Sequence, residues 1–231
     1  MKQKKLSSYN SQPRIGHLQA VYKIFAYLKN HTRSRLVFDD LEVIPDPSLF
    51  RDEDWSEFYP EAEELIPPNM PYSRGPNIRM SCFVDADHAG NIVTWRSHTG
   101  ILIYLNNTPI SWYSKRQNTV ESSTFGSEFN ALRIAVDQIQ ALRYKLRMFG
   151  VRVELPADVY CDNESVTKNS TVPESTLSKK HNSICYHRVR EASASNMIRI
   201  AWIPGENNYA DLLTKYLPVA RRIELLKGIL Y

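Results

Sequence analysis

The stretch SCFVDADHAG, residues 81–90, decides how the chain folds. Its apolar run Cys82, Phe83 and Val84 ends abruptly in two aspartates, Asp85 and Asp87, ahead of a glycine turn at Gly90. Small and β-branched residues in such a run read as a buried strand, and a carboxylate then emerges at the strand's C-terminal end. An aspartate in that place forms a turn more often than it binds a ligand, so it needs partners from elsewhere in the chain. Three carboxylates further along supply them.

Downstream, TGILIYLNN (99–107) and TPISWYSKR (108–116) are β-rich runs separated by Asn106, Asn107 and Pro109. They predict an antiparallel hairpin joined to the first strand in a three-strand meander. Over 121–149 the period changes: Phe125, Phe129, Leu132, Val136, Ile139, Leu142, Leu146 and Phe149 recur at three and four, which predicts the longest helix. Glu128 lies one turn from both Phe125 and Leu132, at the edge of the buried stripe, where a charge is costly unless paired or ligated. A first-turn glutamate favouring the helix dipole is the plainer alternative. ADVYC (157–161) predicts a short strand running into Asp162 and Asn163, so a carboxylate again tops a strand. STVPESTLSKKHNS reads as loop, SICYHRVREASA as helix and MIRIAWIP (197–204) as strand. After a break at Gly205 to Asn208 a last helix follows, with Asp211 in its first turn or so.

Upstream, residues 14–30 place Ile15, Leu18, Val21, Tyr22, Phe25 and Leu28 on one face of an amphipathic helix. VFDDLE beyond it has the paired aspartates of a polymerase palm, but too little chain precedes Asp39 to build one. Residues 39–79 are acidic and rich in proline, which predicts a loosely ordered linker open to proteolysis. Net charge is uneven, about +8 over 1–38, −8 over 39–80 and +4 over 81–231, and a basic body suits a polyanionic partner. The three cysteines, Cys82, Cys161 and Cys185, form no CxxC pair and read as reduced, mostly buried thiols. His181, Cys185 and His187 lack a fourth ligand for zinc. No apolar run reaches the length of a membrane span and no secretory signal opens the chain, so the expected location is the cytosol or nucleus.

The order strand-Asp, hairpin, helix-Glu, strand-Asp, helix, strand, helix-Asp resembles the ribonuclease H fold, and more closely the ribonuclease H domain of copia-type retrotransposon polyproteins. The motifs that carry the resemblance are VDADHAG, RSHTG with ISWYSKRQ, SSTFGSEFNAL, YCDNESV, KKHNSICYHRVRE and ENNYADLLTK, over about residues 80–220. HLQAVYKIFAYLKN is similar to the segment that closes the reverse transcriptase of the same polyproteins. The resemblance therefore implies a reverse-transcriptase remnant at 1–38, a linker at 39–79, a ribonuclease H-like domain at 80–220 and a C-terminal tail at 221–231. The fold it implies is α/β, a five-stranded mixed sheet with helices on both faces.

The same resemblance implies catalytic carboxylates at Asp85, Glu128, Asp162 and Asp211, holding two Mg²⁺ ions or Mn²⁺ in their place. Asp85 would bridge both, Asp211 complete the nucleophile side, and Glu128 and Asp162 hold the leaving-group side. Asp87, two residues from Asp85, is the competitor for the bridging role. The implied substrate is the RNA strand of an RNA–DNA hybrid, and the implied partner is the reverse-transcriptase domain. Lys115, Arg116, Lys179, Lys180, Arg188 and Arg190 are candidate phosphate contacts. The family's histidine before the last aspartate is missing from IPGENNYAD. The alternative to an endoribonuclease is a catalytically silent fragment that keeps the fold and binds nucleic acid. Strand transfer of the integrase kind is disfavoured by the pairs KRQ with SEFNAL and CDN with ADLLTK.

Overall fold

In the computed structural model, which describes residues 6, 9–41, 44–91, 93–177 and 180–230, helices and strands alternate around one mixed sheet. The order is α1 (Ile15–Asn30), β1 (Met80–Asp87), β2 (His98–Leu105), β3 (Thr108–Arg116), α2 (Thr124–Met148), β4 (Ala157–Cys161), α3 (Glu164–Thr171), α4 (Ser183–Ala194), β5 (Ile198–Trp202), α5 (Asp211–Thr214) and α6 (Val219–Leu226). The strands lie side by side as β3-β2-β1-β4-β5. β1, β2 and β3 pair antiparallel, while β1–β4 and β4–β5 are parallel. This is the α/β architecture expected, with β1 at its centre.

Alternation along β1 divides its side chains between two cores. Met80, Cys82, Val84 and Ala86 join Ile101, Ile103, Val159 and Cys161 under Phe129, Leu132, Val136 and Ile139 of α2. Burying each such large side chain is worth roughly 1.5–3 kcal/mol, which makes this face the main source of stability. Phe83, on the opposite face, packs with Tyr104, Tyr209, Leu212, Leu213 and Ile229. Because Val84 pairs with Cys161 in the parallel register, the next residues along the two chains, Asp85 and Asp162, come side by side where β4 ends, while β1 runs on against β2 to Asp87.

α2 begins at Thr124 because the Ser123 side chain accepts from the Gly126 amide at 3.2 Å, satisfying a free donor of the first turn. It stops short of Phe149, which is 82% exposed rather than part of the buried stripe. α3 starts at Glu164 because the Asn163 side chain accepts from the Val166 amide at 3.1 Å, and its last two residues lie in the stretch read as loop.

Two upstream and downstream expectations change. Residues 44–79 carry little regular structure, yet they lie against the domain as a strap. Glu64 receives hydrogen bonds from the Arg143 and Arg147 guanidiniums at 2.6–2.8 Å, and Arg143 is fully buried. Trp55 and Tyr59 flank Arg190, and Phe50 stacks under Arg199. One of the acids that suggest solvation in composition, Glu64, is thus paired with buried cations. At the other end, 221–231 is not a bare tail: α6 buries Leu225, Ile229 enters the second core, and Leu230 bridges to Leu36. α1 forms as expected but buries none of its residues, with Ile15 77% and Phe25 64% exposed. Among the described residues no helix is long and apolar enough to cross a membrane.

Candidate metal centre

Four carboxylates that are far apart in sequence arrive at one end of the sheet. Oxygens of Asp85, Asp162 and Asp211 lie within 4.8 Å of one another, and a second group places Glu128 and Asp162 with the Cys161 thiol at the same limit. Asp162 is common to the two groups. The Asp85 carboxylate is turned toward α5, its Oδ2 accepting from the Thr214 hydroxyl and its Oδ1 facing the Lys215 ammonium at 3.1 Å.

The local supports are specific. The Asn208 side chain donates to the Val84 carbonyl at 2.9 Å and accepts from the Ala210 amide at 3.0 Å, which ties the loop before Asp211 to β1. α5 then lies over β2 at Gly100, the residue paired with Asp85. A Cβ there would stand 2.6 Å from Thr214 Cγ2 and 2.9 Å from the Ala210 carbonyl oxygen, so only glycine lets α5 approach. Glu128, one turn into α2, is 4% exposed.

Burial first, and then the charges of Asp85 and Asp162, push the Glu128 carboxyl well above the ordinary carboxylate range, against a hydrogen bond from the Ala86 amide. Asp162 is raised by burial and by Asp85, and Asp211 by burial with Asp85 adding to it, each partly offset by Lys215. Lys215 itself would be lowered by burial, but Asp85, Asp211 and Asp162 outweigh that and hold it above its usual value. Like charges gathered in a partly buried place call for a cation. Asp85 Oδ1 and Glu128 Oε2 fit one, because both are buried and neither has a hydrogen-bond partner. Asp85 Oδ1 meets Lys215 as a charge, without the angle of a hydrogen bond. Cys161 suits a hard cation poorly, and burial keeps its thiol protonated.

Asp87 belongs to neither group and instead folds over the turn at Gly90, its Oδ2 only 1.9 Å from where a Cβ on that glycine would be. It does line, with His88, Glu128, Asp162, Asn163, Glu164 and Lys215, a hollow of about 450 Å³ beside the carboxylates. Among the described residues, His88 is the histidine that lines this hollow, held 3.3 Å from the Ser127 hydroxyl. His181 faces Glu121 and His187 bonds Tyr59, away from it.

The six expected phosphate contacts separate. Lys115 and Arg116 are exposed at the end of the edge strand β3, and Asp85, Gly100 and Ser114 lie in one row across β1, β2 and β3. With strands spaced by about 4.8 Å, Lys115, one residue beyond that row on β3, has its backbone roughly 10 Å from that of Asp85. Arg190 is corrected to a structural role: it is 2% exposed, and its guanidinium is occupied by the carbonyls of Asn169, Val172 and Pro173. Arg188 is engaged by Asp137 and Gln140 of α2, joining α4 to it. Lys179 and the side chain of Lys180 lie outside the described residues. Gly100, Asn208, Thr214 and Lys215 were not singled out from the sequence, although all stand inside motifs that carried the resemblance.

No protein-family model matches the chain. Retrovirus-related Pol polyproteins do. That of transposon RE1 from Arabidopsis thaliana is 27% identical over 213 residues, 92% of this chain and 12% of the polyprotein. That of RE2 from the same plant is 30% identical over 144 residues, 62% and 10% respectively. The one from transposon TNT 1-94 of Nicotiana tabacum is 33% identical over 150 residues, 64% and 11%. Among solved structures, the N-terminal RNase H domain of a Mycobacterium tuberculosis protein, fused to maltose-binding protein, matches with TM-score 0.46 and 15% identity, over 66% of this chain and 99% of that one. LC11-RNase H1 in complex with an RNA/DNA hybrid gives 0.48 and 17%, over 59% and 94%. The chain is thus similar to one part of the retrovirus-related Pol polyproteins of plant transposons and spans about a tenth of their length.

Proposed function

We propose that the chain is an endoribonuclease that hydrolyses the RNA strand of RNA–DNA hybrids during reverse transcription of a transposon, using two divalent cations, Mg²⁺ or Mn²⁺. The observation that carries this reading is the convergence of Asp85, Glu128, Asp162 and Asp211, from separate elements, with buried oxygens on Asp85 and Glu128 that lack hydrogen-bond donors. Hard oxygen donors in this number suit Mg²⁺, which keeps part of its water shell and needs few protein ligands. Cations bound here supply activation of a water and stabilisation of the leaving 3′ oxygen.

The chain's own part is to hold these carboxylates in place and to present the hybrid to them. Asn208 and Thr214 fix the approach of Asp211 and the direction of Asp85. Exposure of Lys115 and Arg116 at the end of β3 supports assigning them to backbone phosphates, while discrimination of RNA from DNA requires contacts to 2′-hydroxyls in the shallow minor groove. In a polyprotein, the exposed apolar face of α1 supplies a surface for the reverse-transcriptase domain.

The test is a hybrid labelled on each strand in turn, incubated with the chain in Mg²⁺ or in EDTA. The expected result is fragments of the RNA strand alone, and only with Mg²⁺. A hybrid that is bound but stays whole at saturating Mg²⁺ and Mn²⁺ favours the silent binding module instead.

A further inference from the structure

The ammonium of Lys215 stands where the carboxylates meet. Its Nζ is 2.5 Å from Asp211 Oδ1, 3.1 Å from Asp85 Oδ1 and 3.8 Å from Asp162 Oδ2. These are the three residues whose oxygens lie within 4.8 Å of one another. A Mg²⁺ ion ligated by those oxygens would sit about 2.0–2.1 Å from each of its ligands, in the space the ammonium fills. Two cations cannot share that space, and their repulsion at such range is large in a partly buried setting.

The lysine also has somewhere to go. It follows the last residue of α5 in extended backbone, φ −106° and ψ 155°, and its side chain is 39% exposed along the hollow that His88 and Glu164 line. Four rotatable bonds let the ammonium leave while the backbone stays fixed by Thr214 and Asn208.

We propose that Lys215 is an internal counter-cation whose occupancy of the Asp85–Asp162–Asp211 cluster is mutually exclusive with that of a divalent cation, so that it sets how tightly the centre takes metal. It is a positioning residue, acting through the carboxylates. Without metal it holds three anions together; when metal enters, it swings into the hollow. The inference rests on the metal-dependent nuclease reading, and its test separates the two.

Mn²⁺ binding is measured by calorimetry on the full chain and on Lys215→Met and Lys215→Arg, with circular dichroism confirming the fold of each. Removing the competitor is expected to lower the Mn²⁺ Kd roughly tenfold or more in Lys215→Met, one decade of affinity, while Lys215→Arg binds no more tightly than the parent. In the parent, acylation of Lys215 by an amine-reactive reagent, read by mass spectrometry against exposed Lys227, should rise as Mn²⁺ saturates. Equal Kd values for parent and Lys215→Met overturn the inference and leave the nuclease reading intact. Acylation that stays flat through saturation overturns it too, even if Lys215→Met does not fold. No Mn²⁺ binding by any of the chains overturns both.

Discussion

Gly100 and Thr214 are in contact that leaves no room for a side chain: a Cβ on Gly100 would lie 2.6 Å from Thr214 Cγ2. Through that contact β2 carries α5, and α5 carries Asp211 and the hydroxyl that orients Asp85. Gly100→Ala has to push α5 away, since the neighbouring Ala210 carbonyl cannot yield. Overpacking of this kind costs ~1–3 kcal/mol. Chemical denaturation should report that loss, together with weaker Mn²⁺ binding, because two of the carboxylates move apart. A variant with unchanged metal affinity would show that α5 adapts without disturbing them.

The strap gives a prediction about stability and pH. Glu64 is paired with two arginines inside the domain, so Glu64→Gln leaves buried cations without their anion, a change worth about 3–5 kcal/mol. Burial raises the Glu64 pKa, but the hydrogen bonds and charges of Arg143 and Arg147 lower it further, and the net shift is downward. A carboxylate with a depressed folded pKa stabilises fully above its ordinary value of 4.5 and loses that contribution as pH falls through the folded value. The stability gap between parent and Glu64→Gln should therefore be widest near neutral pH and close below pH 4.5. Limited proteolysis at pH 7 should spare residues 44–79 in the parent and cut them in the variant.

A third prediction separates surface cations from buried ones. Lys115→Ala with Arg116→Ala should weaken hybrid binding and flatten its dependence on salt by roughly 0.9 per lost phosphate contact. Arg190→Ala should instead lower the melting temperature and leave the salt slope of the folded protein unchanged, because its guanidinium is held by carbonyls. Titration of a fluorescent hybrid across NaCl concentrations in Ca²⁺ reads both.

What was legible in the sequence, and what was not, follows from the range of each interaction. An apolar run ending in a carboxylate is local, so Asp85 and Asp162 stood out, and the helical period exposed Glu128 at the edge of its stripe. Asp211 was reached only through resemblance, since its place depends on a short helix turned back over β2. Lys215 and Thr214 escaped for the same reason: spacing does not tell which strand a four-residue helix covers. The strap was misread because composition records that 39–79 is acidic and cannot record that Arg143 lies buried and waiting 79 residues after Glu64. Arg190 looked like a surface charge beside Arg188, yet on α4 the two residues face different neighbours, one the loop after α3 and the other α2.

The central claim, that these four carboxylates hydrolyse RNA in a hybrid through bound divalent cations, is tested most directly by Asp85→Asn. The amide keeps the shape of the side chain and removes the charge from the central strand, beside the end of β4. Parent and variant, matched for fold by circular dichroism, are incubated with an RNA-labelled hybrid at millimolar Mg²⁺ and again in EDTA. The account predicts cleavage by the parent with Mg²⁺, none in EDTA, and none by Asp85→Asn in either. Equal cleavage by the two chains in Mg²⁺ would contradict it.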